Sequence, residues 1–235
     1  AYQVAVNLNG NWQPAKTGVL PAAVNEALSG SVAWDGKVGI VLPYHAGATY
    51  NVELNGDLKN VSSHLPSPLA KPAGEPLPVN VKVDGNLNSF DLTGQAGADN
   101  HFNSRWLLGQ KLTLDRAIWA ADSKTLPPLP EQSGVELNMP PMNGAEWLAL
   151  FQKGAAESVG GAASFPQHIT LRTPMLSLGN QQWNNLSIVS QPTANGTQVE
   201  AQGREINATL AMRNNAPWLA NIKYLYYNPS VAKTR

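Results

Sequence analysis

The chain has 235 residues, a formal net charge of +0 and a charged fraction of 14%, against roughly 25% in an ordinary soluble domain. That balance leaves no electrostatic footprint for nucleic acid or a strongly anionic surface, and the absence of cysteine removes disulfides and thiolate metal sites. The length suffices for one large all-β domain or two small ones, no apolar run reaches transmembrane length, and Ala1 in place of an initiator methionine points to a piece of a longer chain.

Taken in order, Tyr2, Val4, Val6 and Leu8 alternate with polar residues and predict a strand that ends at Asn9-Gly10. Residues 21–28 predict about two helical turns stopped at Ser29-Gly30. Residues 31–43 read as a strand or as a hairpin turning at Asp35-Gly36; Tyr50, Val52 and Leu54 then form a strand closed by Asn55-Gly56. Across residues 64–78, Pro66, Pro68, Pro72, Pro76 and Pro78 remove ladder donors, which predicts an extended loop or an edge cover. Val79, Val81 and Val83 resume the alternation, followed by strands from Phe90 and from Phe102. Leu112, Leu114 and Ile118 form the next, with Arg116 out of step as at a bulge or a strand end.

Leu126-Pro127-Pro128-Leu129-Pro130 is a rigid connector leading to Val135, Leu137 and Met139. At Asn143 the period changes: Asn143 caps a helix over about 143–153, with Trp147, Leu148, Leu150 and Phe151 as its apolar stripe and Gly154 as its stop. Residues 155–164 are small, Gly-rich and expected to be a mobile loop. Ile169 and Leu171 start a strand that Pro174 interrupts and Leu176 and Leu178 resume. From Trp183 onward four alternating segments, joined by short connections such as Asn195-Gly196, predict an antiparallel meander.

About a dozen strands, each roughly 20 Å long and 4.8 Å from the next, present on the order of 1,100 Å² on one face. A ten-residue helix covers only about 150 Å² of that. The remaining apolar face must meet a second sheet, curl on itself or hold a ligand, and periodicity does not choose among these.

The chain offers little chemistry. His45, His64, His101 and His168 lack metal-ligand spacing, and Ser62-Ser63-His64 has no nucleophile-elbow context. Asp84 and Asp91 flank an expected hairpin at a spacing that could bring them face to face, but they read as solvated turn residues rather than a catalytic pair. No metal, cofactor or catalytic residue is expected, and the chain does not read as an enzyme.

The runs Trp183-Asn184-Asn185-Leu186, Arg204-Glu205-Ile206-Asn207-Ala208-Thr209-Leu210 and Tyr224-Leu225-Tyr226-Tyr227-Asn228-Pro229 resemble the AsmA-like, repeating β-groove family of bacterial intermembrane lipid-transport proteins. So do Leu126-Pro127-Pro128-Leu129-Pro130 and Met142-Asn143-Gly144-Ala145-Glu146-Trp147, and in effect the whole of residues 1–235. The resemblance implies a mainly β fold: a long, strongly curved antiparallel sheet with one or two short helices, forming a single β-groove segment of a longer periplasmic chain anchored in the inner membrane. It implies a passive phospholipid conduit between the inner and outer membranes of Gram-negative bacteria that maintains the outer-membrane permeability barrier. The membranes would be reached through the rest of the parent chain, with acyl chains as ligand, no nucleic acid and envelope protein partners unidentified. The candidate lining is Val79, Val81, Val83, Leu112, Leu114, Ile169, Leu171, Leu186, Ile188, Ile206, Leu210, Ile222 and Tyr224. The alternative is a closed β-sandwich serving as an envelope scaffold or partner-binding module.

Overall fold

The computed structural model describes residues 1–16, 22–155 and 163–228. In chain order the elements are β1 (Tyr2–Trp12), α1 (Ala22–Asn25), β2 (Leu28–Ser29), β3 (Val32–Leu42), β4 (Thr49–Asp57), β5 (Ser62–Ser63) and β6 (Pro78–Asn86). They continue with β7 (Ser89–Ala96), β8 (Asn100–Leu108), β9 (Leu112–Ala120), β10 (Gly134–Asn138), β11 (Met142–Asn143) and α2 (Gly144–Ala155). The last are β12 (Ala163–Ser164), β13 (Ile169–Leu178), β14 (Gln181–Thr193), β15 (Gly196–Gln202), β16 (Ile206–Arg213) and β17 (Leu219–Leu225). Fifteen strands form one sheet, ordered β1-β3-β4-β6-β7-β8-β9-β10-β13-β14-β15-β16-β17, with β11 beside β13 and β12 beside β9; β2 and β5 pair separately. The sheet is not closed, and β1 and β17 are its edges.

The fold is mainly β, as expected, but the pairing is mixed. β10 runs parallel to both β9 and β13, β11 is parallel to β13, and β12 is parallel to β9. The connector after β9 returns the chain to the start of the next strand rather than making a hairpin. It lies along the polar face, where Asn103 Nδ2 donates to Pro127 O at 3.1 Å and Arg116 Nη1 donates to Pro130 O and Glu131 O at 3.1 Å each. Arg116 is out of step because the β8–β9 register shifts at Arg105 and Trp106.

Three glycine signals that read as turns lie inside strands. β1 runs past Asn9-Gly10 to Trp12, β3 is unbroken through Asp35-Gly36, and β4 continues past Asn55-Gly56 to Asp57. The glycines make room for large neighbours instead. A Cβ on Gly10 would lie 2.8 Å from the Trp34 ring, one on Gly36 2.5 Å from Leu54 Cδ2, and one on Gly56 3.0 Å from Val32.

Pro174 likewise sits within β13 rather than breaking it. On one side β10 pairs only to Arg172 and β11 resumes at Leu176, so the missing N–H falls where no strand needs it. α1 covers only Ala22–Asn25 of the helix expected over residues 21–28, with Leu28 already in β2 and residue 21 outside the described residues. Asn143 Oδ1 accepts from Ala145 N at 3.1 Å and Glu146 N at 3.3 Å, capping α2 as its sequence predicts. α2 runs past Gly154 to Ala155, and residues 156–162 of the expected loop lie outside the described residues.

Candidate functional site

The registers align side chains into rows that cross the sheet. One row runs Val6, Val38, Val52, Val83, Leu92, Ser104, Ala117, Val135, Ile169, Ser190, Val199, Leu210 and Ala220. Its neighbour on the same face is Leu8, Gly36, Leu54, Val81, Gly94, Phe102, Trp119, Leu137, Leu171, Ile188, Ala201, Ala208 and Ile222. Each row visits all thirteen strands of the path, and neither contains a charged residue. Two serines are the only polar side chains, and the Ser104 hydroxyl donates to Leu92 O at 2.9 Å. Thirteen strands at about 4.8 Å make an apolar band roughly 58 Å long.

The opposite face is as consistently polar. Asn7, Lys37, Glu53, Lys82 and Thr93 form one row, and Asp84, Asp91, Arg105 and Arg116 part of another. Asp84 and Asp91 are directly opposite, yet Asp91 is committed to Arg105, which donates from Nε to Oδ1 at 2.8 Å and from Nη2 to Oδ2 at 3.1 Å. Asp91 is thus held by Arg105 rather than left to act together with Asp84.

Cover over the apolar band is partial and concentrated at one end of the strands. Ala121, Met139 and Met142 are buried there against Trp119, Leu137, Leu171, Leu176 and Trp147 of α2. The Trp147 indole donates to Ser67 O at 3.0 Å, and Lys153 Nζ lies 2.5 Å from Glu26 Oε2. These two ties join α2, which packs near β13, to the loop between β5 and β6 and to the residue that follows α1. Beyond β13 the same end is closed by the segment after β17. Tyr226 N donates to Glu205 O at 2.7 Å, Tyr227 OH donates to Gly179 O at 2.8 Å, and the Tyr227 and Trp183 rings stack with centroids 6.3 Å apart.

Elsewhere the band stays open. No large side chain among the described residues is fully buried, and the accessible surface is 15073 Å², whereas a compact monomer of this mass exposes roughly 10,000 Å². Val4, Val6, Leu8 and Ile222 are all more than 40% exposed although they point to the apolar side. Toward the hairpin end, Phe90 and Trp106 stack at 6.1 Å, and Phe165 meets Trp106 edge-on at 6.2 Å.

The candidate lining residues fall as follows. Val81, Leu171, Ile188 and Ile222 share one long row, and Val83, Ile169 and Leu210 share the other. Val79 lies one step nearer the capped end, opposite Gly56 and Ala96. Leu112 and Leu114 lie opposite Leu108 and Trp106 at the hairpin end, and Leu114 is buried. Leu186 is buried opposite Thr173, and Ile206 pairs with Leu225. A register shift between Asn207 and Ala208 puts Tyr224 opposite Asn207, outside both rows, where its hydroxyl donates to Gly203 O at 2.6 Å. The rows are completed by Phe102, Trp119 and Leu137 and by the glycines beneath large side chains. Their alternation is visible in the sequence, but their alignment across strands is set by register.

The sequence profile of the family described as YhdP protein matches residues 1–235. The chain belongs to the YhdP family. A curated relative, the intermembrane phospholipid transporter YhdP of Escherichia coli (strain K12), is 97% identical over 235 residues. That match covers 100% of this chain and 19% of the relative, so the chain spans about a fifth of the length of the protein it matches. No solved structure matches. For this YhdP-family chain the geometry supplies a long uncharged band, helical cover at one end of it, and no constellation suited to acid–base or nucleophilic chemistry among the described residues.

Proposed function

We propose that the chain is one segment of a passive phospholipid conduit in the periplasm. Acyl chains lie along the apolar band and head groups remain at its open rim. The observation that carries this reading is the pair of uncharged rows crossing thirteen strands, beside which the described residues form only one further sheet, the two-stranded β2–β5 pair. The sheet would curve around the tails, so that the band becomes a groove. Each methylene moved from water onto such a face gains about 0.8 kcal/mol, which holds a two-tailed lipid. Because one apolar rung resembles the next, displacement along the band changes that energy little. The parent protein, anchored in the inner membrane, would complete the path to both membranes. A closed sandwich scaffold would leave less surface exposed than this chain has.

Mass spectrometry of lipids retained by the purified chain tests the reading. Co-purifying phospholipid, displaced by detergent and regained from vesicles, is the expected result. A folded chain that retains none and takes up none from vesicles overturns it.

A further inference from the structure

The two ends of the strands differ in what borders the apolar band. At the covered end the connections between strands carry Lys59, Lys71, Glu75, Asp122, Lys124 and Glu146, among other charges. At the hairpin end, residues 43–48, 87–88, 109–111 and 165–168 border β3 to β9, and they contain no carboxylate; His45, Lys111 and His168 are their only basic side chains. Glu131, where the β9–β10 connector arrives at this end, lies with that connector on the polar face, its carbonyl held by Arg116. Tyr44, Leu87 and Phe165 in these segments are 75%, 67% and 59% exposed. Large apolar side chains therefore meet water at this end with little charge around them.

The row beyond Val6 toward that end turns aromatic. Tyr50, Gly85, Phe90 and Trp106 lie opposite one another on β4, β6, β7 and β8, a shelf about 14 Å long at the usual strand spacing. A Cβ on Gly85 would lie 2.5 Å from Phe90 Cβ and 2.8 Å from the Tyr50 hydroxyl oxygen, so the tyrosine leans across the glycine toward Phe90. Trp106 stacks on Phe90 with ring planes 10° apart, and its indole N–H donates to Ser104 Oγ at 3.0 Å, which draws the ring back toward the Val6 row. Ser104 spends its own proton on Leu92 O. The Tyr50 hydroxyl, by contrast, has no hydrogen-bond partner among the described residues. Aromatic rings with a spare hydroxyl beside an apolar surface suit a ligand that passes from hydrocarbon to ester within a few ångströms.

We propose that this shelf seats the glycerol-ester region of a diacyl phospholipid. Tyr50 donates to an ester carbonyl, and Phe90 and Trp106 pack on the first methylenes. The acyl chains run from there onto the apolar rows, and the phosphate leaves the band at the hairpin end, where no carboxylate in the bordering segments opposes it. The proposal rests on the reading that the chain carries phospholipid, and it adds which rim the head groups use: the hairpin end rather than the end closed by α2.

The test uses the full 235-residue chain with fluorotryptophan in place of tryptophan, the Trp106 and Trp147 fluorine resonances being assigned from Trp106→Phe and Trp147→Phe. Trp106 reports the shelf and Trp147 the covered end. Lipid is taken up from phosphatidylcholine vesicles in which a share of the lipid bears a nitroxide on its head group or, separately, near the end of one acyl chain, and the vesicles are then removed. The head-group nitroxide should broaden Trp106 more than Trp147, and the chain-end nitroxide should reverse that order. Tyr50→Phe, which keeps the ring, should lower uptake about threefold, the scale of one lost hydrogen bond. If the head-group nitroxide broadens Trp147 more, or both labels broaden the two resonances alike, the shelf assignment falls and the conduit reading stands. A Trp106 resonance silent under both labels while Trp147 responds would show the shelf covered by protein instead of lipid, and uptake unchanged by Tyr50→Phe would remove the seat for the ester; either overturns the proposal. If neither resonance responds although the spectrum is that of the folded chain, the conduit reading falls and the shelf assignment with it.

Discussion

The ring of Phe102 is seated on Gly94, its partner across β7 and β8: a Cβ on Gly94 would lie 1.9 Å from Phe102 Cζ and 2.3 Å from Cε1. The glycine lets the ring lie low on the sheet instead of standing up into the apolar band. Gly94→Ala is therefore expected to lift Phe102 out of its seat and destabilise the chain by about 1–3 kcal/mol, the usual cost of overpacking. Urea unfolding measures this as a lower midpoint. Phe102→Leu in the same background should recover part of the loss, because the shorter side chain no longer reaches the new methyl. A midpoint unaffected by Gly94→Ala would mean the ring moves aside freely.

Val81 and Leu210 lie in different apolar rows and are only half-buried, so a charge placed there meets the band without being forced into a packed core. Val81→Asp or Leu210→Asp should leave the strands formed. Each should abolish phospholipid capture from vesicles, since a carboxylate beside acyl chains is desolvated without a partner. Lys82→Asp, one residue away on the polar face opposite Glu53 and Thr93, is the control and should leave capture unchanged. Capture that persists in both apolar variants and in their combination would remove the band from the lipid path.

Strand content was legible because period-two alternation survives in nearly every segment, as in Val79, Val81 and Val83. Turns were less legible because glycine has two uses. In Asp35-Gly36 it accommodates Leu54 in mid-strand, whereas in Asn195-Gly196 it makes the hairpin. Only knowledge of which side chain lies across the ladder separates the two cases. The parallel pairing of β10 was hidden for a related reason. A proline-rich connector states that the chain is extended but not which end of the next strand it reaches. Of the candidate lining residues, Val81, Val83, Ile169, Leu171, Ile188, Leu210 and Ile222 fall in the two long rows, and Val79 lies one step outside them. Tyr224 falls in neither, because a one-residue register shift before it reverses which face its neighbours occupy, and no pattern of apolar residues announces that shift.

Glu205 holds the strand junction at the covered end. Its Oε2 accepts from Asn184 N and its Oε1 from Asn184 Nδ2, both at 2.7 Å. Burial pushes the carboxyl up, but the hydrogen bonds from Asn184 outweigh it, with smaller help from Arg204, and hold it below its ordinary value of 4.5. A carboxyl depressed in the folded state contributes stability that is fully present above the unfolded value and lost as pH falls through the folded one. Glu205→Gln should therefore lower the unfolding midpoint at pH 7, where the carboxylate is lost as an acceptor. The difference from the unsubstituted chain should shrink as acid protonates the native glutamate. Urea titrations at neutral pH and well below 4.5 measure it, and a gap that widens in acid would contradict the assignment.

Gly196 opens β15 with φ +156°, and a Cβ there would lie 2.0 Å from Met212 O on the neighbouring strand. Both the backbone conformation and the contact exclude a side chain, and the obstructing atom belongs to the ladder itself, so it has no free rotation by which to yield. Gly196→Ala should cost about 1–3 kcal/mol or more, the scale of a strained residue held in place by its surroundings. Asn215, at φ +57° in the turn before β17, makes the contrast: Asn215→Gly should change stability by no more than about 0.5 kcal/mol, since glycine adopts that conformation readily. The site of the damage is also specified. β15, β16 and β17 form the end of the sheet and pair with nothing beyond β17 among the described residues. Amide exchange in Gly196→Ala should accelerate there while β3 through β8 keep their protection. Uniform acceleration across the sheet would show instead that the thirteen strands unfold as one cooperative unit.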